Sequence, residues 1–269
     1  MVSASEDETI KIWNLNTGRL IKTLRSGQIC SLIGLKYKII VAGSFEIIQI
    51  WDSNKLYLRN ELYGHTSWIN CLLDLDNGDF ASGSSDYLIK IWNINIKWTF
   101  WKQNDNSIRT LKGHTDEVMT LAFLSVNILA SGSLDKTIKI WNFREGYLIK
   151  TLTKNSDPIM SLALLNENRL ASGNSAGIIN IWNLNNYKKI KIFNGHKSWV
   201  WCLVYDFKSD TLISGSYDSN ILLWNTKNGK LKQILTSYTM LTNNAVFNKP
   251  TYFLINFLSM SFILYYIIY

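Results

Sequence analysis

Proline and histidine are scarce in this chain, and its cysteines follow no metal-ligand spacing. The 269 residues include two prolines, three histidines and three cysteines, and charged residues make up 18%. The cysteines do not form the Cys/His patterns of zinc sites, and no glycine-rich phosphate-binding loop occurs. The sequence therefore gives no support to a metalloenzyme or a nucleotide-binding enzyme, and we expect no cofactor, no small-molecule substrate and no enzyme activity.

A short apolar sequence that contains a tryptophan is repeated along the chain. It occurs six times, with Trp-to-Trp spacings of 38, 41, 49, 41 and 42 residues. The copies are Thr9–Trp13, Ile47–Trp51, Leu88–Trp92, Thr137–Trp141, Ile178–Trp182 and Ile221–Asn225. A period near 41 residues indicates that one supersecondary unit is stacked repeatedly.

The fourth repeat shows how such a unit folds. Strands are predicted, in order, over Val118–Leu124, Ile128–Ser133, Thr137–Asn142 and Tyr147–Thr153. In the third strand Ile138 and Ile140 point to one face and Trp141 to the other, so both faces of the sheet are apolar. Radial closure of such sheets buries both faces, so the period predicts an all-β β-propeller of four-stranded antiparallel blades.

The motifs of this repeat resemble those of the WD-repeat family. Gly113-His114 is followed by the sequence ASGS, then Asp135 in a turn, then IKIW and Asn142. The resemblance covers roughly residues 1–235. It implies six recognisable blades in a six-bladed ring or in part of a seven-bladed one, the first incomplete because the chain opens inside a second strand. We expect a propeller over residues 1–240 and a hydrophobic tail over residues 241–269.

The resemblance also implies a buried hydrogen-bond chain from the strand Trp through a Ser or Thr and a His to the turn Asp. The predicted sets are His65, Asp86 and Trp92 with Ser82 or Ser84; His114, Asp135 and Trp141 with Ser131 or Ser133; and His196, Asp218 and Trp224 with Ser214 or Ser216. A hydrolase triad uses the same residue types. However, a catalytic site would be single, and all three histidines occupy the repeated position. We therefore predict a structural network, complete only in blades three, four and six.

The other three repeats lack parts of this network. The second repeat has Gln28 where Gly-His is expected. The fifth repeat has Asn155 in place of His and Ala176 in place of Asp, and the first copy has Asp7 and Trp13 without a His. We expect the three complete blades to be the most rigid.

Candidate binding residues follow from the family architecture, in which side chains before the first strand and before the turn Asp surround the mouth of the central channel. Those predicted to contact a partner are Trp68, Glu117, Pro158, Trp199, Trp201 and Tyr217. Exposed Trp and Tyr are typical hot-spot residues of protein interfaces. The alternative for Trp68 and Trp199 is that they fold over the blade core.

The net charge of +8 raises the question of an acidic partner such as nucleic acid. Lys11, Lys90 and Lys139 occupy matching repeat positions, so we expect them to be spread around a solvated rim, which argues against a nucleic-acid site. The predicted function is a non-catalytic scaffold or substrate adaptor that binds proteins or peptides on its top face and rim. We expect a cytoplasmic protein, with a nuclear location as the alternative.

Two segments depart from the repeat. Thr251–Tyr269 contains 19 residues without charge, of which 15 are apolar or aromatic. It is interpreted as a membrane anchor, which would make the protein a membrane-tethered scaffold, as a segment packed on the ring, or as translated non-coding sequence at an interrupted gene end. The third repeat is eight residues longer than the others within Ile94–Thr110, which predicts either a docking element or a flap on its own blade.

Overall fold

The repeated apolar phrases form β-strands throughout this computed structural model. The structure describes residues 1–4, 7–14, 16–35, 38–75, 78–94, 105–153, 155–166 and 168–236, and the backbone of residues 256–258 and 261–266. No α-helix occurs within these ranges, and every strand pair there is antiparallel. The all-β class predicted from the sequence is confirmed.

The chain divides into two units, Met1–Gly113 with Lys249–Tyr269, and His114–Asn248. In the first unit, one sheet has the order β23-β24-β1-β2-β3 and the other the order β10-β9-β8-β7-β6-β5-β4. The strands of this unit are β1 (Val2–Ala4), β2 (Thr9–Trp13), β3 (Leu20–Arg25), β4 (Ser31–Leu35), β5 (Ile39–Gly43), β6 (Phe45–Asp52), β7 (Tyr57–Asp74), β8 (Asp79–Ser84), β9 (Ile89–Asn93), β10 (Arg109–Leu111), β23 (Asn256–Leu258) and β24 (Ser261–Tyr266).

The second unit contains three four-stranded sheets, each with its strands in chain order. These sheets are the fourth, fifth and sixth blades. Their strands are β11 (Val118–Ser125), β12 (Ile128–Ser133), β13 (Ile138–Asn142), β14 (Tyr147–Leu152), β15 (Ile159–Leu165), β16 (Arg169–Asn174), β17 (Ile178–Asn183), β18 (Lys188–Asn194), β19 (Val200–Asp206), β20 (Thr211–Ser216), β21 (Asn220–Asn225) and β22 (Leu231–Thr236). The fourth-repeat strands agree with the sequence prediction to within one residue at each end.

The second and third blades differ from the prediction of separate four-stranded sheets, because one long strand belongs to both. The first part of β7 pairs with β6, and residues from Ile69 onward pair with β8. Phe45 of β6 also pairs with Trp68, which keeps the connecting segment extended. The result is a seven-stranded sheet that contains two blades.

Within each unit the tryptophan face of one blade packs on the isoleucine face of the blade before it. Trp182 of the fifth blade lies in one buried cluster with Ile138 and Ile140 of the fourth. Trp224 of the sixth blade lies in another with Ile179 and Ile181 of the fifth. The two-residue alternation of the third strand therefore supplies both halves of each interblade core.

The first blade receives a strand from the C-terminal segment. The backbone of β24 pairs antiparallel with β1, with Tyr266 opposite Val2 and Leu264 opposite Ala4. This pairing corresponds to the packed-segment interpretation of Thr251–Tyr269, whereas residues 251–255, 259–260 and 267–269 lie outside the described residues, as do residues 95–104 of the third-repeat insertion. Within the described ranges, no helix has the length and hydropathy needed to cross a membrane. The membrane tether and the domain limits of 1–240 and 241–269 stay predictions.

Candidate functional site: the repeated hydrogen-bond network and an aromatic surface

In the fourth blade a histidine, an aspartate, a serine and a tryptophan form one connected network. His114 Nδ1 lies 2.6 Å from Asp135 Oδ2, and His114 Nε2 lies 2.7 Å from Ser131 Oγ. Trp141 Nε1 donates to the same Ser131 Oγ at 2.8 Å. Of the two serines that the sequence left open, Ser131 contacts the histidine, while Ser133 Oγ accepts the backbone N–H of Asp135 at 3.0 Å.

The third and sixth blades repeat this arrangement. The histidine Nδ1 to aspartate Oδ2 distances are 2.7 Å for His65 with Asp86 and 3.0 Å for His196 with Asp218. Both Nε2 atoms lie 2.7 Å from a serine Oγ, which also accepts the tryptophan N–H of its blade. These serines are Ser82, which accepts the N–H of Trp92, and Ser214, which accepts the N–H of Trp224.

The glycine before the histidine lies close to other side chains in two of these blades. A Cβ atom on Gly195 would lie 2.6 Å from Cη2 of Trp224. A Cβ atom on Gly64 would first meet the carboxylate of Asp105, and it would lie 3.2 Å from Cη2 of Trp92. In the third and sixth blades the glycine is therefore favoured by packing.

The aspartate also fixes the turn that carries it. Oδ1 accepts the backbone N–H two residues further on, at 3.0 Å from Leu88 and 2.8 Å from Thr137. The residue between them has a left-handed backbone, with φ of 71° at Tyr87 and 66° at Lys136. A non-glycine residue adopts this region at a cost, which the carboxylate hydrogen bonds offset.

The protonation of the network follows from its hydrogen bonds. Burial pushes the pKa of Asp86 and Asp135 upward, but hydrogen bonds from the histidines and from backbone N–H groups outweigh it and hold both below the ordinary value. The pKa of Asp218 is lowered in the same way, and burial lowers the pKa of His196. In the sixth blade a neutral His196 then donates from Nδ1 to the carboxylate and accepts the serine O–H at Nε2, while the serine oxygen accepts the indole N–H. Every polar group of this hydrogen-bond network therefore has a partner.

The histidines are inaccessible to a substrate. Each of the three side chains has no exposed surface. Among the described residues, no three His, Cys, Asp or Glu side chains come together in a way that would hold a metal ion. The geometry of the network is that of a stabilising element within a blade.

The fifth blade keeps only the tryptophan end of the network. Trp182 Nε1 donates to Ser172 Oγ at 2.9 Å. Asn155, at the histidine position, bonds through Nδ2 to the backbone oxygen of Leu152 instead, and its Oδ1 is buried without a partner. Asn174 replaces the serine that supports the turn, and its Oδ1 accepts the N–H groups of both Ala176 (3.1 Å) and Ile178 (2.8 Å). This amide thus takes over both turn bonds, one of which the absent aspartate would have accepted.

The first and second blades lose different parts. Trp13 Nε1 of the first blade still donates to Ser3 Oγ at 2.8 Å. In the second blade Ala42 occupies the serine position, since it pairs with Gln49 as Ser82 pairs with Lys90. Trp51 Nε1 is consequently buried without a hydrogen-bond partner.

Two aromatic residues of the sixth blade, Trp199 and Tyr217, are exposed, and Trp201 beside Trp199 is half-buried. We call these three residues the aromatic surface. The ring centres of Trp199 and Trp201 are 5.2 Å apart. The backbone N–H of Tyr217 donates to the backbone oxygen of Trp199 at 3.0 Å. The exposed fractions are 45% for Trp199 and 59% for Tyr217. Trp199 therefore does not fold over the blade core, the alternative that the sequence left open.

The other predicted binding residues occupy equivalent backbone positions but present less surface. The backbone oxygens of Trp68, Glu117 and Pro158 each accept an N–H from the turn of the same blade, at 2.9–3.0 Å. All three side chains are half-buried. Trp68 packs edge-on against Phe45 with ring centres 5.1 Å apart, so it is partly covered by its own unit. Their role in binding stays a prediction.

The expected rim of solvated lysines is wrong for two of its members. Lys90 and Lys139 are buried. Their Nζ atoms donate to a threonine directly across the strand pair, at 3.0 Å to Thr110 and 3.1 Å to Thr151. Long apolar stems let a lysine lie along the sheet while its amine reaches the edge, which spacing alone does not reveal.

Three ranges of the chain match the repeat model of a known protein family. The family model described as "WD domain, G-beta repeat" matches residues 56–93, 105–142 and 187–225. These ranges contain Asp86, Asp135 and Asp218, the three turn aspartates of the complete networks. The crystal structure of the WD40 β-propeller domain of Doa1 superimposes with a TM-score of 0.75 at 23% identity, covering 87% of this chain and 78% of that one.

The three matched ranges are WD repeats, and the fold is that of a WD40 β-propeller. Curated relatives of this propeller include the ribosome biogenesis protein YTM1 of Scheffersomyces stipitis, 35% identical over 102 residues. Another is cell division cycle 20.1, cofactor of the APC complex, of Arabidopsis thaliana, 31% identical over 94 residues. The matches cover 34% and 33% of the propeller chain, and only 22% and 21% of the relatives.

Sequence reasoning missed a residue that compensates for absent network members, Asn174, and one that removes a further member, Ala42. The signal for Asn174 is the sequence ASGN, where other copies have ASGS. The signal for Ala42 is the sequence VAGS at the same place. The threonines that receive the buried lysines were also readable, because Thr110 and Thr151 lie opposite Lys90 and Lys139 in the strand pairing. Each signal is a single substitution inside an aligned repeat.

Proposed function

We propose that this propeller is a non-catalytic protein-interaction scaffold that binds a partner protein or peptide through the aromatic surface of its sixth blade. The observation that carries the proposal is the exposure of Trp199 and Tyr217, which are joined by a backbone hydrogen bond and backed by Trp201. Large aromatic groups exposed on a rigid support are the usual anchors of protein interfaces.

The rest of the sixth blade supports this role by holding the aromatic surface in place. The turn that bears Tyr217 also bears Asp218, whose carboxylate accepts the backbone N–H of Lys197 at 2.8 Å. Lys197 is two residues before Trp199, so the network fixes both segments that carry the exposed rings. The relatives act in ribosome biogenesis and as an APC cofactor according to their names, and work of that kind is done in multiprotein assemblies.

The test compares the proteins captured by the intact propeller and by a Trp199→Ala/Tyr217→Ser variant, quantified by mass spectrometry from extracts of the source cells. Phe207→Ser is the matched control, since Phe207 is also an exposed aromatic of the sixth blade but lies on the turn between β19 and β20. We expect a defined set of proteins to be lost from the first variant and kept by the second, with equal melting temperatures. Retention of the same set by both variants would contradict the proposal.

A further inference from the structure

The outer edges of the blades carry a repeated polar pair. In the third and fourth blades a lysine of the third strand donates to a threonine of the outer strand, as Lys139 does to Thr151 at 3.1 Å. The first blade has the same residue types in the same register, with Lys11 opposite Thr23. In the third and fourth blades the buried lysine amine therefore has a partner on the neighbouring outer strand, and Lys90 Nζ also contacts Asp105 and Ser107.

The fifth blade replaces this pair with Asn180 and Ile192, which are direct cross-strand partners in β17 and β18. Asn180 is buried, and its Oδ1 has no hydrogen-bond partner. Ile192 is 54% exposed, and Ile190 of the same strand is 45% exposed. The outer strand therefore exposes two β-branched side chains, while the acceptor without a partner lies buried on the third strand. We call β18 with Ile190 and Ile192 the fifth-blade edge.

The lysines of β18 do not shield this edge. Lys189 Nζ lies over the Trp182 ring at 5.3 Å from its centre. Lys191 Nζ reaches the backbone oxygens of Thr226 and Lys227 in the sixth blade. Lysine on an outer strand is a common protection against the addition of another strand, but here two of the three lysines are directed into the protein.

The charges of the outer strands indicate which kind of partner segment fits the fifth-blade edge. The outer strands of the fourth and fifth blades, β14 and β18, contain Lys150, Lys188, Lys189 and Lys191 and no carboxylate. The strand order places β14 and β18 at the ends of their sheets, so one side of each backbone has no strand partner among the described residues. Partly buried Ile149, Leu184 and Tyr187 extend the apolar surface between the two blades.

We propose that the fifth-blade edge binds an extended acidic segment of a partner protein, which adds as a strand to β18. Backbone hydrogen bonds to the free side of β18 would give affinity, and apolar side chains at alternate positions would pack on Ile190 and Ile192. Carboxylates of the segment would face Lys188, the exposed lysine of β18. This surface is separate from the aromatic surface, and its function does not depend on it.

The experiment uses a fluorescein-labelled peptide that alternates valine and glutamate, with a valine–lysine peptide of equal length for comparison. Binding to the intact chain is measured by fluorescence anisotropy. The test variant Asn180→Lys/Ile192→Thr transplants the fourth-blade pair into the fifth blade. The control variant Ile234→Thr alters the matching, equally exposed position of the sixth blade, where Ile234 is opposite Leu222.

We expect saturable binding of the glutamate peptide, weakened about tenfold or more by the transplanted pair and unchanged by Ile234→Thr. Hydrogen exchange at the backbone amides of β18 should slow when this peptide is bound. The proposal is overturned if the glutamate peptide does not bind, if the lysine peptide binds equally well, or if the transplanted pair leaves binding intact while its melting curve shows a folded protein.

Discussion

The fourth and fifth blades build the same four-stranded sheet around different polar residues. Their second and third strands pair in equivalent register, with Ser131 opposite Lys139 in one and Ser172 opposite Asn180 in the other. The indole-to-serine bond is conserved between them at 2.8 and 2.9 Å. Only the fourth blade continues this bond through a histidine to an aspartate.

The comparison teaches that apolar alternation specifies the blade, while the His–Asp part of the network adds stability to it. Trp141 and Trp182 are both buried. The serine that accepts the Trp141 N–H also contacts a histidine, whereas the serine at Trp182 does not. In the fifth blade Asn155, Asn174 and Asn180 each have one buried amide atom without a partner. Buried polar atoms of this kind cost free energy, so the fifth blade should be the weaker of the two.

The largest effect is expected from removing the carboxylate of the fourth blade. Asp135→Ala takes partners from His114 Nδ1, from the N–H groups of Thr115 and Thr137, and from Thr137 Oγ1. We expect a loss of about 2–3 kcal/mol in the free energy of unfolding, measured by urea denaturation.

The matched change in the fifth blade is Asn155→Ala, which removes one bond to Leu152 and an unpartnered oxygen. Its expected cost is about 1 kcal/mol or less. Equal losses for the two variants would show that the complete network contributes nothing beyond its single bonds.

The second prediction converts the fifth blade into the fourth. Asn155→His with Ala176→Asp and Asn174→Ser should restore the network above Ser172 and raise the free energy of unfolding by about 1–2 kcal/mol. Asn155→His or Ala176→Asp alone should give no gain, because each leaves a buried polar group without its partner. A double-mutant cycle between positions 155 and 176 measures this coupling, and a coupling energy of zero would refute it.

The third prediction concerns how the free energy of unfolding depends on pH. A complete blade contains a histidine that titrates, such as His196, whereas the fifth blade has Asn155 at this position. Burial lowers the pKa of His196 below its ordinary value of about 6.5, so the folded protein binds this proton less readily than the unfolded chain. The stability contributed by neutral His196 is therefore present above about pH 6.5 and is lost as the pH falls toward the folded pKa.

Urea denaturation between pH 7.5 and 5.5 should show the wild type losing up to about 1.4 kcal/mol per pH unit more than His196→Gln. The carboxylates act in a lower range: the lowered pKa of Asp86 and Asp218 means that their contribution is lost only below pH ~4. Parallel slopes for wild type and variant would mean that His196 titrates normally in the folded state.

The sequence predicted those features that depend on repeated residue types. The strands of the fourth repeat and the three His–Asp pairs follow from aligned positions, whereas for Trp199 the aligned position left exposure and burial over the blade core as alternatives. It did not predict where a compensating contact forms, because Asn174 acts through the reach of its amide and Lys139 through the length of its stem. It also did not predict that β7 runs through two blades, which depends on the pairing of Phe45 with Trp68.

The smallest effect concerns the second blade, which lacks even the indole-to-serine bond that the fifth retains. Ala42 is buried at the serine position, and Trp51 Nε1 has no partner. Ala42→Ser adds one oxygen at the position where Ser3 and Ser172 accept an indole N–H without any histidine. We expect a gain of about 0.5–1 kcal/mol in the free energy of unfolding.

Val41→Thr is the control, because it adds a hydroxyl to the adjacent residue, whose side chain points to the other face of β5, away from Trp51. That variant should be destabilised, since its hydroxyl enters the apolar cluster of Ile33, Ile48 and Ile50. A loss of stability in both variants would mean that the second blade cannot accommodate the oxygen. The indole-to-serine bond would then depend on residues beyond the serine itself, and the separation of fold from network drawn from the fifth blade would not extend to the second.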